Sequence, residues 1–141
     1  HSGAGTGSVS IYSDSGEKYI QGSNTSYAGT YTDNDIIGVA LDMDNSKVYF
    51  SKNGAWANGS GAWGSSTFDA AVGAITLPTT GTYTFAVSQR SGAYNEVNFG
   101  EGRFGTTAIS SAGSNGNGAL FEYDVPSGFY ALNTKNLNTY G

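Results

Sequence analysis

Two glutamates in the second half of the sequence are the residues with the clearest catalytic potential. The stretch EVNFGE, residues 96–101, places Glu96 and Glu101 on either side of Asn98. Two carboxyl groups held about 5–5.5 Å apart can cleave a glycosidic bond, one as nucleophile and the other as acid and base. On a regular strand Glu96 and Glu101 point to opposite faces, and only a bulge would align them. We therefore expect charges at a strand end here and no catalytic residue.

Acidic residues also cluster in DMDNS, residues 42–46, where they could ligate a hard cation such as Ca²⁺. A calcium loop of the EF-hand type needs glycine at its sixth position and glutamate at its twelfth. Counted from Asp42, those positions hold Lys47 and Asn53. Asp and Asn are frequent in turns because their side chains hydrogen-bond their own main chain. We therefore predict a hairpin turn and no metal site.

Other catalytic arrangements are limited by the supply of residues. The sequence has no cysteine, and its single histidine is His1. Cys-ligated metals are therefore excluded, and a Ser-His-Asp triad would have to use a terminal imidazole. We interpret His1 as a terminal remnant, because a lone imidazole at a frayed end has no neighbours to orient it. We expect no cofactor.

The candidates for binding are mainly aromatic. Trp56 and Trp63 lie in the Gly-, Ser- and Asn-rich loop 53–66. An indole can stack on a sugar ring or anchor a protein contact, since it offers a large rigid surface at low entropic cost. It can also fold back and cap the core, and both interpretations stay open. We predict a ligand-binding loop surface that includes Trp56, Trp63, Tyr31 and Asn58.

Composition limits the size and the partners of the protein. The 141 residues suit one domain, and the charged fraction is 12% with a net charge of −5. Such a chain cannot neutralise a run of phosphates, so nucleic acid is not expected as a partner. No apolar run approaches the length of about 18 residues that a membrane span needs, and no signal peptide is visible. The 22 glycines, 10 tyrosines and 7 phenylalanines favour an all-β chain with many tight turns.

Alternation of apolar and polar residues predicts strands rather than helices. The clearest case is TYTFAVS, residues 82–88, and a hairpin is predicted over residues 34–54. That hairpin turns first at DMDNSK and again at SKNG, where Gly54 can adopt a positive φ. The predicted strands are residues 8–12, 18–20, 37–41, 48–50, 82–88, 95–99 and 120–125. Seven short strands separated by Gly, Ser and Asn turns are typical of a β-sandwich.

The hairpin NDIIGVALDMDNSKVYFSKNG, residues 34–54, resembles the characteristic hairpin of SPRY domains. The positions that match are Asp35, Gly38, Val39, Leu41, Asp42, Phe50, Asn53 and Gly54. The segments TYTFAVSQ and EVNFG are similar to later strands of that family, so the resemblance extends over residues 27–137. The tail FEYDVPSGFYALNTKNL is similar to the end of SPRY-like modules in virion proteins of tailed bacteriophages and related environmental viruses.

The resemblance implies an all-β, antiparallel two-sheet sandwich of the concanavalin-like jelly-roll type. It implies a non-enzymatic module whose loops bind protein or glycan. The implied organisation is a flexible lead-in (1–7), a sandwich (8–126) with loop insertions at 53–66 and 105–119, and an extended C-terminal tail (127–141).

The resemblance also implies where the protein acts and what it contacts. The tail points to a virion component such as a tail fibre, spike or head-decoration protein, which contacts other virion subunits or a host-surface glycan. Early strands of the family are not visible before residue 8. We therefore expect a preceding segment or a neighbouring subunit to complete the sheet, in an oligomer. A free-standing, secreted lectin-like domain is the alternative.

Overall fold

Nine short strands and one helix form the secondary structure of the described residues, which are 7–78, 81–89, 92–104, 107–108 and 118–140 of a computed structural model. In chain order these elements are β1 (Val9–Ile11), β2 (Glu17–Ile20), β3 (Ser23–Ser26), β4 (Ile37–Asp42), β5 (Lys47–Lys52), β6 (Ala55–Trp56), β7 (Ile75–Thr76), β8 (Arg103–Phe104), β9 (Thr107–Ala108) and α1 (Thr134–Tyr140). The chain divides into two compact units, residues 1–86 and 87–141. No helix in the described part is long and apolar enough to cross a membrane.

The first sheet is a meander of β1, β2 and β3 in the N-terminal unit. Ile20 of β2 lies opposite Val9 of β1 on one side and opposite Ser23 of β3 on the other. Gln21 and Gly22, between β2 and β3, both have a positive φ, at 52° and 86°, which makes a type I′ turn. The sequence pattern does not predict β3, because its four residues are polar and exposed. The Gln-Gly pair is the signal that could have indicated this second hairpin.

The second sheet is built around β5. β4 pairs with the whole of β5, from Ile37 opposite Lys52 to Asp42 opposite Lys47. The other side of β5 is shared, because β6 pairs with its last residues and β7 with its first residues. The hairpin predicted from alternation and turn residues is therefore confirmed, and it forms the spine of this sheet.

Both predicted turns of the hairpin are confirmed, and polar side chains or glycine hold them. The Asp42 carboxylate accepts hydrogen bonds from the side-chain Nδ2 and the main-chain N of Asn45, at 2.8 and 2.9 Å. These bonds hold the pKa of Asp42 below its usual value, the Asn45 side chain being the largest cause. After β5, Asn53 and Gly54 have φ angles of 49° and 81°, which makes a type I′ turn into β6. The acids of residues 42–46 thus shape a turn.

The core of the N-terminal unit is made by both sheets. Its buried centre consists of Tyr27, Ala28, Val48, Phe50, Ala57, Ile75 and Leu77. Val48 and Phe50 alternate along β5 and share one face, and Val9, Ile11 and Ile20 of the first sheet pack against the centre. Burying a side chain of this size contributes about 1.5–3 kcal/mol to folding. The predicted all-β, antiparallel two-sheet sandwich is confirmed.

The C-terminal unit is organised by asparagine side chains. Asn98 donates from Nδ2 to the main-chain oxygen of Leu120 at 2.8 Å, and its Oδ1 accepts from the main-chain N of Gly100 at 2.7 Å. Asn133 is the N-cap of α1, because its Oδ1 accepts from the main-chain N of Asn136 at 3.0 Å. β8 and β9 pair as a separate antiparallel ribbon.

Three predicted strands are wrong, because residues 82–88, 95–99 and 120–125 form no strand. Alternation shows which side chains could share a face, but a strand also needs a second segment that pairs with its main chain. Phe85 and Val87 are 46% and 65% exposed, so the face that alternation predicts to be buried is largely open. Residues 82–88 therefore have the alternating pattern of a strand, but no described segment pairs with them as a strand.

The C-terminal tail also differs from the expectation. The sequence predicts an extended tail over residues 127–141, but α1 occupies most of the second half of this range. There the Asn133 cap satisfies a main-chain N–H of the first turn. Most of the predicted insertion at 105–119 and of the lead-in at 1–7 lies outside the described residues. The domain boundaries themselves stay predictions.

Candidate functional site

Tyr31 and Trp63, two of the four predicted binding residues, lie side by side. Their ring centroids are 6.5 Å apart and their planes meet at 70°, an edge-to-face arrangement. Both side chains are half-buried, so each keeps part of its surface accessible. We call the surface formed by Thr30, Tyr31, Asp35, Lys52 and Trp63 the Tyr31–Trp63 platform.

The main-chain oxygen of Thr30 fixes the indole of this platform. Nε1 of Trp63 donates to that oxygen at 3.1 Å, and Nζ of Lys52 donates to it at 3.1 Å as well. The Lys52 ammonium also lies 6.0 Å from the centroid of the Trp63 ring, a cation–π distance. Gly29 permits the close approach of the indole, since a Cβ there would lie 3.0 Å from Cδ1 of Trp63. The ring is therefore held in one orientation before any ligand arrives.

Asp35 supplies the negative charge of the platform. Its carboxylate accepts hydrogen bonds from the main-chain N of Thr32 at 2.9 Å and from Nδ2 of Asn53 at 2.6 Å. It also lies 3.7 Å from Nζ of Lys52. These contacts hold the pKa of Asp35 below its usual value, with the Thr32 main-chain bond as the largest cause. Asp35 is thus a fixed anion beside the Lys52 cation.

Tyr31 connects the platform to the first sheet. Its hydroxyl donates to the main-chain oxygen of Ile11 in β1 at 3.3 Å, and its main-chain N donates to the oxygen of Ser13 at 3.1 Å. Burial raises the pKa of Tyr31, and the nearby charge of Asp14 raises it further. The phenol therefore stays neutral and bound near neutral pH.

Trp56 lies on the opposite face of the second sheet from Trp63. Trp63 forms an isolated antiparallel bridge with Ala57, and Ala57 is part of the core. Trp56 precedes Ala57 and pairs with Ser51, so its side chain points away from the core. The structure therefore separates the two tryptophans that the sequence places in one loop.

Trp56 belongs to an aromatic cluster on this outer face. The ring centroid of Phe68 is 5.0 Å from that of Trp56 and 5.0 Å from that of Tyr49, with edge-to-face geometry in both pairs. The hydroxyl of Tyr49 donates to the main-chain oxygen of Ala70 at 3.1 Å, and burial raises the pKa of Tyr49. The long loop after β6 is thereby folded over the outer face of β5.

A hollow of about 260 Å³ opens beside this cluster, and we call it the Trp56 hollow. Its lining residues are Trp56, Ala57, Asn58, Gly64, Ser65, Thr67, Asp69 and Val72. The fourth predicted binding residue, Asn58, shapes its rim, because its Oδ1 accepts from the main-chain N of Ser60 at 2.8 Å and of Ala62 at 3.2 Å. Trp56 and Asn58 therefore share one site, and Tyr31 and Trp63 share another.

The loop that carries the hollow is anchored to the core by Tyr27. The hydroxyl of this side chain, which is 1% exposed, donates to the main-chain oxygen of Gly73 at 2.7 Å. Burial raises the pKa of Tyr27 to about 12. Gly73 has a φ of 69°, and a Cβ at that position would lie 1.9 Å from the main-chain oxygen of Ala57. Only glycine allows the loop to pass this close to β6.

Glu101, the second glutamate of residues 96–101, forms a hydrogen bond within its own turn. Oε2 of Glu101 accepts from the main-chain N of Phe99 at 2.8 Å. Asn98, which lies between the glutamates in sequence, uses its amide as both donor and acceptor to main-chain groups. No group of three or more His, Cys, Asp or Glu side chains suited to a metal ion occurs within the described ranges. These residues support a local turn, and a carboxylate at residue 98 could not make the same donor bond.

Four residues of the two sites are not assigned to binding by the sequence pattern. They are Thr30, Lys52, Asp35 and Phe68. Asp35 and Asn53 appear in the hairpin pattern as matching positions, which indicates their place in the fold and not their contacts. The Lys-Asn-Gly sequence that begins at the last residue of β5 is the available signal for Lys52, since it puts a cation next to a type I′ turn. Thr30 contributes a main-chain oxygen, which no side-chain pattern can reveal.

Comparison with known proteins identifies a family for this chain. The family model described as "SPRY domain" matches residues 1–90 of the 141 residues. The matched region begins and ends earlier in the chain than residues 27–137, over which the sequence patterns resemble the family. No match was found among curated proteins or among solved structures. Because the match covers more than half of the chain, which folds as a two-sheet antiparallel sandwich, the chain belongs to the SPRY domain family, whose members are generally protein–protein interaction modules and not typically catalytic.

Proposed function

We propose that this chain is a non-catalytic module that binds a protein partner through the Tyr31–Trp63 platform. The observation that carries the proposal is the fixed pair of aromatic rings, with the Trp63 indole bonded to the Thr30 oxygen. Aromatic side chains that are already ordered lose little conformational entropy on binding, and they are the usual anchors of protein interfaces. Lys52 and Asp35 give the rings a polar rim with both signs of charge.

A peptide library selected on the immobilised full chain tests this assignment. Peptides that are recovered on the wild type should bind the Tyr31→Ala variant about 30-fold more weakly, since truncating an aromatic anchor costs about 2 kcal/mol. The matched control is Tyr123→Ala, because the Tyr123 side chain is 41% exposed and lies in the C-terminal unit. Equal affinity of the peptides for wild type and Tyr31→Ala would contradict the proposal.

We propose further that the module acts in a virion, as part of a tail fibre, spike or head-decoration protein. The support is the resemblance of residues 121–137 to the end of such modules. The partner would then be another virion subunit or a host-surface molecule. Antibodies against the chain should label intact particles in immunogold microscopy of a producing culture. Labelling of the particle-free supernatant alone would instead favour the secreted, lectin-like alternative.

The proposed module works in several copies, with strands or apolar surface supplied by a neighbouring chain. The support is the set of large apolar side chains that are about half or more exposed in the C-terminal unit, which includes Val87, Tyr94 and Leu137 at 65%, 81% and 51%. Apolar surface of this kind marks interaction sites in soluble proteins. Light scattering during size-exclusion chromatography should show an oligomer that dissociates on dilution. A monomer at every concentration would contradict this part of the proposal.

The absence of catalysis is proposed on the same basis and has its own test. Wild type and Glu96→Gln should both leave a panel of oligosaccharides intact. Hydrolysis by the wild type that disappears in Glu96→Gln would identify the chain as a glycosidase.

A further inference from the structure

We propose that the Trp56 hollow binds one neutral sugar ring. The hollow lies on the outer face of the second sheet, away from the Tyr31–Trp63 platform, and nothing in the SPRY assignment accounts for it. Its volume of about 260 Å³ is smaller than the ~300–1,000 Å³ of pockets for drug-sized ligands. It therefore suits a single ring better than an extended chain segment.

The aromatic wall of the hollow has a fixed orientation. Trp56 is held by the edge-to-face contact with Phe68, and Phe68 is held in turn by Tyr49. Tyr49 is 3% exposed, and its hydroxyl is bonded to the Ala70 oxygen. A rigid indole wall offers an apolar surface on which the C–H face of a pyranose can stack.

The polar groups around this wall have hydrogen-bonding capacity left over. Oδ1 of Asp69 accepts from the main-chain N of Ala71 at 2.8 Å, and no described residue bonds to its Oδ2. Asn58 uses Oδ1 for its own loop, and no described residue accepts a bond from its Nδ2. Thr67 adds a hydroxyl. Carboxylate, amide donor and hydroxyl together complement the alternating donors and acceptors of sugar hydroxyl groups.

The charge of the lining selects among ligand classes. Of the eight residues that line the hollow, Asp69 alone is charged, so an anionic ligand would be repelled. A cationic side chain would be attracted to Asp69. An ammonium or guanidinium group only donates hydrogen bonds, however, so it could not accept one from Nδ2 of Asn58. A neutral polyhydroxylated ring can use both groups.

The two indole groups of the chain allow a direct test by NMR. The full-length ¹⁵N-labelled chain is titrated with methyl glycosides of neutral hexoses and, in a parallel arm, with N-acetyl-arginine amide. The two indole N–H signals are assigned with Trp56→Phe and Trp63→Phe. We expect a saturable shift of the Trp56 signal with at least one glycoside, while the Trp63 signal, whose N–H is bonded to Thr30, stays in place.

Three outcomes would overturn the proposal. These are the absence of a saturable Trp56 shift with every glycoside, a shift of the Trp63 signal alone, and a shift of the Trp56 signal with the arginine amide alone. The last outcome would assign the hollow to a cationic side chain of a protein partner.

A pair of isosteric variants tests the role of Asp69. Asp69→Asn should weaken glycoside binding about tenfold, because a hydrogen bond to a charged group is replaced by a neutral one. Asp44→Asn is the matched control, since Asp44 lies exposed in the turn between β4 and β5 and does not line the hollow. An unchanged Trp63 signal shows that each variant is folded. Equal affinities of the two variants would contradict the assignment, and neither result depends on whether the Tyr31–Trp63 platform binds a protein.

Discussion

The indole nitrogen of Trp63 donates a hydrogen bond to the main-chain oxygen of Thr30 at 3.1 Å, whereas no described residue accepts a bond from the indole nitrogen of Trp56. Trp63→Phe and Trp56→Phe remove the same atoms, so they form a matched pair. We expect Trp63→Phe to lower the free energy of unfolding more than Trp56→Phe does. The expected difference is about 0.5–1.5 kcal/mol, the usual contribution of one hydrogen bond. Urea denaturation of both variants measures the difference, and equal losses would show that the Thr30 bond contributes nothing.

The lowered pKa of Asp35 predicts a loss of stability in acid. A carboxyl group whose pKa is depressed by folding stabilises the native state above the ordinary carboxyl value of about 4, and this contribution is lost as the pH falls below it. Asp35→Asn should therefore make the fall in stability below about pH 4 shallower. Thermal unfolding as a function of pH gives the slopes.

Thr32→Ala is the control for the acid prediction. This variant keeps the main-chain N–H that bonds Asp35, so its pH profile should follow the wild type. If Asp35→Asn also follows the wild type, the contacts of Asp35 do not affect folding stability.

The raised pKa of Tyr27 predicts a second loss of stability in alkali. The folded protein holds the neutral phenol up to about pH 12, while the unfolded chain ionises it near the ordinary value of 10.0. The contribution is complete below pH 10 and disappears as the pH rises towards 12, because ionisation then favours the unfolded chain. Tyr27→Phe should flatten this alkaline fall and also lower stability at pH 7 by about 1–3 kcal/mol, since the Gly73 oxygen loses its donor.

Tyr94→Phe is the matched control at pH 7, where the 81% exposure of Tyr94 predicts a change within about 0.5 kcal/mol. Urea denaturation at several pH values tests both statements. An alkaline slope that Tyr27→Phe leaves unchanged would contradict the role of this buried phenol.

Asn98→Asp should destabilise the C-terminal unit. The Asn98 amide donates to the Leu120 oxygen at 2.8 Å, and an ionised carboxylate has no hydrogen to donate and would repel that oxygen. We expect a loss of about 1–3 kcal/mol. Hydrogen exchange of the amides of residues 118–140 reports on this unit directly. Asn95→Asp, at an exposed position, should leave the exchange rates unchanged, and equal behaviour of the two variants would contradict the structural role of Asn98.

The hairpin of β4 and β5 could be predicted because all of its information is local. Its apolar residues alternate, and its turns carry Asp42, Asn45, Asn53 and Gly54, residue types that favour turns through local hydrogen bonds or a positive φ. Residues 82–88 alternate equally well and form no strand, while the polar β3 is a strand because β2 pairs with it. Periodicity describes the faces of a segment, and pairing depends on what the rest of the chain brings beside it.

The candidate sites show the same division. The sequence by itself determined the aromatic residues, the turn glycines, the small number of charges and the all-β class, since these follow from composition and local pattern. Only the tertiary structure decided that Trp63 joins Tyr31 at the Thr30 oxygen while Trp56 joins Phe68 on the other face. The reason is register: the bridge between Ala57 and Trp63 puts Trp63 on the face of Ala57, opposite that of Trp56, and a shift of one residue would put both indoles on the same face.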